Sequence, residues 1–174
     1  MYIKLSFLLC FLIIFSQHKG YSQDDKSLYN KGVAIAKRGD TDVSFMYFNR
    51  LINDFPESKY LKEALFAAGE YRFSIGDYSN SGRMLSQLIN NYPQAENKPF
   101  AMAYLIKINS AGGKKNEVEK LTKELAGVLQ LSLVFRDFKE LKYASPLSKN
   151  YKALYFINKV QIYIDDKLFA EIPF

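Results

Sequence analysis

Aspartates are the residues in this 174-residue chain whose types and spacing could support catalysis. Asp40 and Asp77 each follow a glycine and lie 37 residues apart, and Asp165 and Asp166 are neighbours near the C-terminus. A pair of carboxylates can hydrolyse a glycosidic bond, because one supplies a proton and the other acts as base or nucleophile. The matching Gly-Asp settings of Asp40 and Asp77 favour helix capping instead. Adjacent aspartates are typical of a solvated turn, so a carboxylate-based hydrolase is a distant alternative.

The N-terminal segment has the pattern of a secretory signal peptide. Lys4 precedes an apolar run over residues 5–15 that only a serine interrupts, and Gly20 and Ser22 put small residues at the −3 and −1 positions of a cleavage site. The run is shorter than the roughly 20 apolar residues that a membrane-spanning helix needs. We therefore predict a signal peptide over residues 1–22, export, and a mature chain that begins near Gln23. A retained leader is the alternative.

Loss of this leader would remove both Cys10 and His18, the only cysteine and the only histidine. Without thiol or imidazole, the mature chain cannot form disulfides, zinc sites built on His or Cys, or Ser-His-Asp and Cys-His catalytic sites. Leu9 stands where a lipidation signal needs a small residue, so Cys10 does not predict a lipoprotein. No phosphate-binding or dinucleotide-binding glycine motif is present. We predict a non-enzymatic protein without metal or cofactor.

Charge argues against a nucleic-acid partner. Removal of residues 1–22 leaves 22 Lys and Arg against 18 Asp and Glu, a mild excess spread along the chain. No block of five or six like charges marks a basic arm.

An internal repeat organises the middle of the chain. "LINDFPES" at 51–58 returns as "LINNYPQA" at 88–95, a step of 37 residues. A fixed period between 20 and 50 residues is typical of stacked repeat proteins. The same step aligns further positions in the two units, namely Leu28 with Leu65, Gly32 with Gly69, Phe48 with Leu85, Leu51 with Leu88 and Pro56 with Pro93.

Each repeat unit is predicted to be a pair of amphipathic helices. Phe48, Leu51, Ile52 and Phe55 fall at i, i+3, i+4 and i+7, which forms one apolar stripe on a helix. Gly-Asp dipeptides at 39–40 and 76–77 separate the two helices, because glycine accepts a left-handed turn and aspartate caps the next helix. One helix pair cannot bury its own apolar face, so stacked copies bury it against each other.

We predict three such units, at about 26–56, 63–93 and 100–130, within a repeat domain over 23–130. Residues 131–174 are expected to cap the array. "SLVFRDFKELKYASP", 132–146, reads as a further short helix. For 149–160 we favour a helix, and the last dozen residues remain open because "VQIYI" and "LFAEI" around "DDK" fit a short β-hairpin equally well. The predicted fold class is an all-α solenoid with a C-terminal helix and a β-hairpin tail as the open alternative.

The spacing of these units resembles the tetratricopeptide repeat, with a large apolar residue, glycine four residues later, then small, aromatic and proline positions. The structural positions are Leu28, Gly32, Ser44, Phe48, Leu51 and Pro56, and Leu65, Gly69, Ser81, Leu85, Leu88 and Pro93. The Phe-Pro and Tyr-Pro helix endings and the Gly76-Asp77-Tyr78 turn are similar, more specifically, to two exported bacterial groups. These are outer-membrane-protein assembly factors of the BamD type and Tol–Pal-associated periplasmic proteins of the YbgF/CpoB type. The resemblance covers roughly residues 26–130.

This resemblance implies a scaffold that binds a protein or peptide segment in the bacterial cell envelope, in the periplasm or at the periplasmic face of the outer membrane. Outer-membrane protein assembly is the first expectation, and a Tol–Pal or peptidoglycan-associated adaptor is the alternative. Membrane association is expected only through a partner. In the resembled family the first helices line a groove, whose positions here would be Tyr29, Val33, Ala36, Lys37, Phe66, Glu70, Phe73 and Lys107. The apolar tail is expected either to cap the solenoid or to dock on a partner or lipid.

Overall fold

The computed structural model describes residues 18–127 and 139–174. The first of these segments forms six helices, α1 (His18–Ala36), α2 (Thr41–Asp54), α3 (Leu61–Ser74), α4 (Tyr78–Asn91), α5 (Lys98–Ala111) and α6 (Lys115–Gly127). The second forms four strands, β1 (Lys139–Ala144), β2 (Asn150–Tyr155), β3 (Lys159–Ile164) and β4 (Lys167–Pro173).

The helices form three hairpins that stack in chain order. α1 packs on α2, α3 on α4 and α5 on α6, while α2 also contacts α3 and α4 contacts α5. The seams between them bury Phe48, Leu51, Leu85 and Leu88 completely. Burial of a large apolar side chain contributes about 1.5–3 kcal/mol, so these four residues account for much of the cohesion of the array. The predicted solenoid of helical hairpins is confirmed.

Glycine permits close approach of the two helices inside the first and second hairpins. A Cβ atom at Gly32 would lie 2.9 Å from the Phe48 ring, and one at Gly69 would lie 2.6 Å from Leu85. Real Cβ contacts are essentially never this short. The first helix of these two hairpins therefore needs glycine where the large residue of the second helix crosses it, which explains why glycine recurs once at the 37-residue step.

A serine in the second helix of each of these two hairpins makes a hydrogen bond to the glycine of the first helix. The Ser44 hydroxyl donates to the backbone carbonyl of Gly32 at 2.9 Å, and the Ser81 hydroxyl donates to that of Gly69 at 2.8 Å. Both serines are fully buried, so the bond offsets the cost of burying their hydroxyls.

Turns within the hairpins follow the Gly-Asp signal. Gly39, Gly76 and Gly113 all have positive φ, at 89°, 81° and 69°, a conformation that glycine adopts without steric cost. Asp40 then accepts a hydrogen bond from the Val43 backbone N–H at 3.1 Å and begins α2. Aspartates at these positions are helix caps.

Asp77 plays the same part at α4. It accepts a hydrogen bond from the Asn80 backbone N–H at 3.3 Å and also pairs with Arg72. These interactions hold the pKa of the Asp77 carboxyl below its usual value, with the Asn80 side chain as the largest cause. Pro56 and Pro93 follow directly after the C-terminal caps of α2 and α4, where proline stops the helix.

The C-terminal segment is a four-stranded antiparallel meander in the order β1-β2-β3-β4. The predicted helix over 149–160 and the helical reading of 139–146 were therefore wrong, while residues 132–138 lie outside the described part of the chain. The alternation of burial explains the difference. Tyr151, Ala153 and Tyr155 are buried on one face of β2, and Lys152 and Leu154 lie on the other. This period of two matches a strand and not a helix.

The hairpin alternative for the last residues is confirmed, as part of a larger sheet than expected. Asp165 and Asp166 form its turn with φ values of 48° and 61°. Two successive left-handed residues are typical of the turn that matches the twist of a β-hairpin. The fold is consequently a helical array with an antiparallel sheet, and the all-α class is corrected.

Most of the predicted signal peptide, residues 1–17, lies outside the described residues, and residues 18–22 belong to α1. None of the described helices combines the length and the apolar character required to cross a membrane.

Candidate partner-binding site

The sheet packs against α3 and α5, the first helices of the second and third hairpins. Phe66 of α3 makes edge contacts with Tyr143 and Tyr151, with ring centroids 5.2 and 5.3 Å apart. Phe100 of α5 lies 6.0 and 5.2 Å from the same two rings. These contacts join the helices and the sheet in one aromatic core. Each such aromatic pair adds about 0.5–1.5 kcal/mol of stability beyond the burial of its surface area.

A buried ion pair joins the two parts of the fold. Glu70 of α3 is 1% exposed, and its carboxylate lies 2.9 Å from the Nζ of Lys149, the residue that precedes β2. Burial raises the pKa of Glu70, while Lys149 and the Ser145 and Tyr151 hydroxyls oppose that rise. Removing a charge from water is costly unless a partner compensates it. Lys149 is the cation that compensates the buried Glu70 carboxylate.

Tyrosine hydroxyls complete the polar contacts of this interface. The Tyr104 and Tyr151 oxygens lie 2.7 Å apart, and the Asn97 side-chain amide donates to the Tyr143 hydroxyl at 3.3 Å. Burial raises the pKa of Tyr104 and Tyr151 well above the usual range. Both therefore remain neutral phenols, which suits a structural hydrogen bond rather than acid–base chemistry.

The sheet covers part of the groove predicted from the sequence. Phe66 and Glu70 are not accessible to a partner, because the sheet buries them. Phe73 is half-buried against Tyr104 and Phe169, at ring separations of 4.8 and 5.9 Å. Lys107 is exposed, and its Nζ lies 4.8 Å above the Phe169 ring. The chain's own sheet thus occupies the position expected for a partner along α3 and α5.

The predicted groove residues of α1 have different surroundings. Tyr29 stacks on Tyr60 with ring centroids 4.6 Å apart, and Val33 is half-buried against the core. Ala36 is buried, whereas Lys37 follows the end of α1 and is exposed. The structure therefore does not bring the α1 residues and the α3 and α5 residues into one open surface.

An open groove lies where β4 passes the C-terminal ends of α3 and α5. Its volume is about 610 Å³. Its lining comprises Phe73, Tyr78, Ile106, Lys107, Ile108, Ser110 and Ala111 from the helices, and Leu168 to Ile172 from β4. Two large apolar side chains remain exposed there, since Tyr78 is 49% and Leu168 is 55% exposed. We name this feature the β4 groove.

A bulge in the sheet shapes the β4 groove. Ile162 pairs with Ala170 and Tyr163 pairs with Leu168, so Phe169 has no paired residue on β3. An extra residue in one strand re-aims the adjacent side chains. It allows the Phe169 ring to contact both Phe73 and Tyr104, at 5.9 and 4.7 Å. Phe73 and Lys107 of this groove were predicted from the sequence, whereas the lining from β4 was not.

The acidic residues considered for catalysis have structural partners. Asp165 accepts a hydrogen bond from the Asn150 backbone N–H at 2.9 Å, and Asp166 pairs with Lys152 at 3.0 Å. Within residues 18–127 and 139–174, no group of three or more His, Cys, Asp or Glu side chains is arranged to hold a metal ion.

The first two hairpins share a glycine at the helix crossing, a serine hydrogen bond across it and a Gly-Asp turn, and the stacking of all three hairpins fits a tetratricopeptide-like solenoid. The family model described as "Tetratricopeptide repeat" matches residues 26–58 and 63–95. A chain in the solved structure titled "CopN-Scc3 complex" is similar in fold, with a TM-score of 0.54 and 17% sequence identity. The similarity covers 67% of this chain and 65%, slightly under two thirds, of that chain. No curated protein sequence matches this chain.

Proposed function

We propose that this protein is a non-enzymatic, exported scaffold that binds a protein partner in the bacterial cell envelope. The observation that carries the proposal is the β4 groove, which leaves Tyr78 and Leu168 half-exposed beside an otherwise buried aromatic core. Exposed aromatic and aliphatic side chains around a concave surface are typical anchors for a protein segment. Repeat arrays provide a rigid support for such a surface.

The chemistry of the described residues favours binding over catalysis. The buried titratable groups at the helix–sheet interface, Glu70, Tyr104 and Tyr151, bind one another or Lys149. Asp40 and Asp77 cap helices. The similar solved chain belongs to the CopN-Scc3 complex, which agrees with a protein-binding use of this fold.

The envelope location in this proposal rests on residues 1–22 and on the sequence resemblance. The Phe-Pro and Gly-Asp-Tyr signatures resemble scaffolds of outer-membrane protein assembly, so that process is the proposed setting. Cell fractionation and N-terminal sequencing test the location. We expect a periplasmic or outer-membrane-associated chain that begins near Gln23, and an intact leader on a cytosolic protein would refute export.

Site-specific photo-crosslinking in the native cell tests partner binding. A photoreactive phenylalanine analogue replaces Tyr78 in the groove, or Met46, which is 66% exposed on α2. We expect one reproducible adduct from position 78 and none of the same mass from position 46. An identical adduct pattern at both positions, or no adduct at position 78, would contradict the proposed scaffold.

A further inference from the structure

We infer that the free edge of β4 accepts an extended segment of a partner protein as a fifth strand, and that an acidic side chain of this segment pairs with Lys107. The inference rests on the proposed function and specifies how the scaffold recognises its partner.

Position in the sheet makes β4 available for strand addition. β4 pairs with β3 on one side and is the last strand of the meander among the described residues. Alternate residues of an edge strand direct their backbone N–H and C=O groups away from the sheet. Pro173 ends the strand, in agreement with the restriction of proline to edges and strand ends. An added strand would satisfy these backbone groups.

The β4 groove gives the added strand a place for its side chains. Phe73, Tyr78 and Ile108 contribute apolar surface on the helical side, and Leu168 contributes it from β4. Side chains of an extended segment alternate between two faces. Those on one face would therefore enter the groove, which selects for a segment with apolar residues at alternate positions.

The charge of the groove sets a second requirement on the sequence of the added segment. Lys107 has no carboxylate within 4.0 Å among the residues that the structure describes, and its ammonium group lies over the Phe169 ring. Glu171, the acidic residue of the lining, is already bound to Lys159 at 3.0 Å and to Gln161 at 2.7 Å. The cation is thus the uncompensated charge of the groove, and a carboxylate is its complement.

Selection from a displayed library of random dodecapeptides tests this inference on the full chain. We expect the enriched peptides to alternate apolar and polar residues and to carry Asp or Glu at one fixed position. N-methylation of alternate backbone amides in a selected peptide should abolish binding, because it removes the donors that pair with β4. A failure to enrich any peptide counts against the inference.

Variants of the protein locate the peptide. Leu168→Asp should weaken binding about tenfold or more, equivalent to about 1.4 kcal/mol. The matched control is Ile157→Asp, which changes another strongly exposed aliphatic residue, in the β2–β3 turn. Lys107→Glu should weaken binding of the acidic peptide. The same variant should bind more tightly to a peptide in which lysine replaces the acidic residue. Thermal melting of each variant verifies that it is folded.

Several results would overturn strand addition. Equal affinity of the selected peptide for the wild type, Leu168→Asp and Lys107→Glu would place binding elsewhere. Retained binding after N-methylation would exclude a backbone ladder. Concentration-dependent dimerisation that Leu168→Asp abolishes would instead identify the β4 edge as a contact between copies of this chain. If the envelope adduct at position 78 persists in both groove variants, the scaffold function stands and the inference fails.

Discussion

The Glu70 carboxylate of α3 lies 2.9 Å from the Nζ of Lys149, the residue before β2, across the boundary between the helical array and the sheet. Glu70 is almost completely buried, whereas the Lys149 side chain is 33% exposed. The pair lies beside the aromatic cluster of Phe66, Tyr104 and Tyr151. This charged contact therefore links the sheet to α3 inside an otherwise apolar interface.

Removal of Lys149 should destabilise the protein more than removal of the Glu70 charge. Lys149→Met leaves a buried carboxylate without its partner, and we expect a loss of about 2–3 kcal/mol, below the usual range for fully buried pairs because Lys149 is partly exposed. Glu70→Gln removes the charge and should cost less. Urea denaturation measures both values. A double variant less stable than Lys149→Met alone would contradict this explanation.

The pH dependence of stability should reveal the Glu70 carboxyl group. Its pKa is raised in the folded state by burial. The folded protein therefore holds this proton more tightly than the unfolded chain does. The resulting stabilisation is complete below the unfolded pKa and is lost as the pH rises through the folded pKa.

Comparison with Glu70→Gln isolates this effect, because exposed carboxyls with lowered pKa values, such as Asp77 and Glu171, act in the opposite direction in both proteins. As the pH increases from acidic values, the free energy of unfolding of the wild type should fall relative to that of Glu70→Gln. A difference that is independent of pH would show that the pKa of Glu70 is not raised.

Two glycine substitutions should have effects of opposite sign. Gly69→Ala places a Cβ 2.6 Å from Leu85, and overpacking of this kind costs about 1–3 kcal/mol. Gly82 lies within α4, and a Cβ added there by Gly82→Ala would lie 3.9 Å from its nearest neighbour, the Ile108 side chain. This substitution should stabilise by about 0.5–1 kcal/mol, because alanine favours the helix. Thermal unfolding of both variants provides the test. Equal effects at the two positions would contradict the proposed role of Gly69.

Deletion of residues 160–174 should unfold or aggregate the protein. The deletion removes β4 and nearly all of β3, the strand that pairs with Ala153 and Tyr155 of β2. It would also uncover Phe73, which Phe169 contacts. Light scattering and circular dichroism distinguish the outcomes. A soluble, fully helical protein that has lost only partner binding would indicate that the tail is a docking module rather than a part of the core.

The sequence was informative about the helices because their contacts recur. Gly32 and Gly69, or Ser44 and Ser81, make the same contact twice, so the pattern is visible as a period. The sheet has no such period. Its strands are six or seven residues long, and "KELKYA" of β1 is composed largely of good helix formers. In β2, Tyr151, Ala153 and Tyr155 alternate with Lys152 and Leu154, and this period of two is the pattern of a strand.

The candidate site was predicted only in part for a related reason. Phe66 and Phe73 were expected on an inward face of the array, and the structure places them on the side of α3 that meets the sheet. The sequence could not reveal that a later segment of the same chain would cover Phe66. Lys107 remains exposed because it lies beyond the covered region, at the β4 groove.

Hydrogen–deuterium exchange of the full chain, alone and with its crosslink-identified partner, tests the central claim most directly. We predict that the partner increases protection in β4 and in the C-terminal half of α5, while exchange in β1, β2 and the N-terminal half of α3 is unchanged. Increased exchange in the sheet, with new protection along α1 and α3, would contradict the account, because it would show that the partner displaces the sheet from the helices.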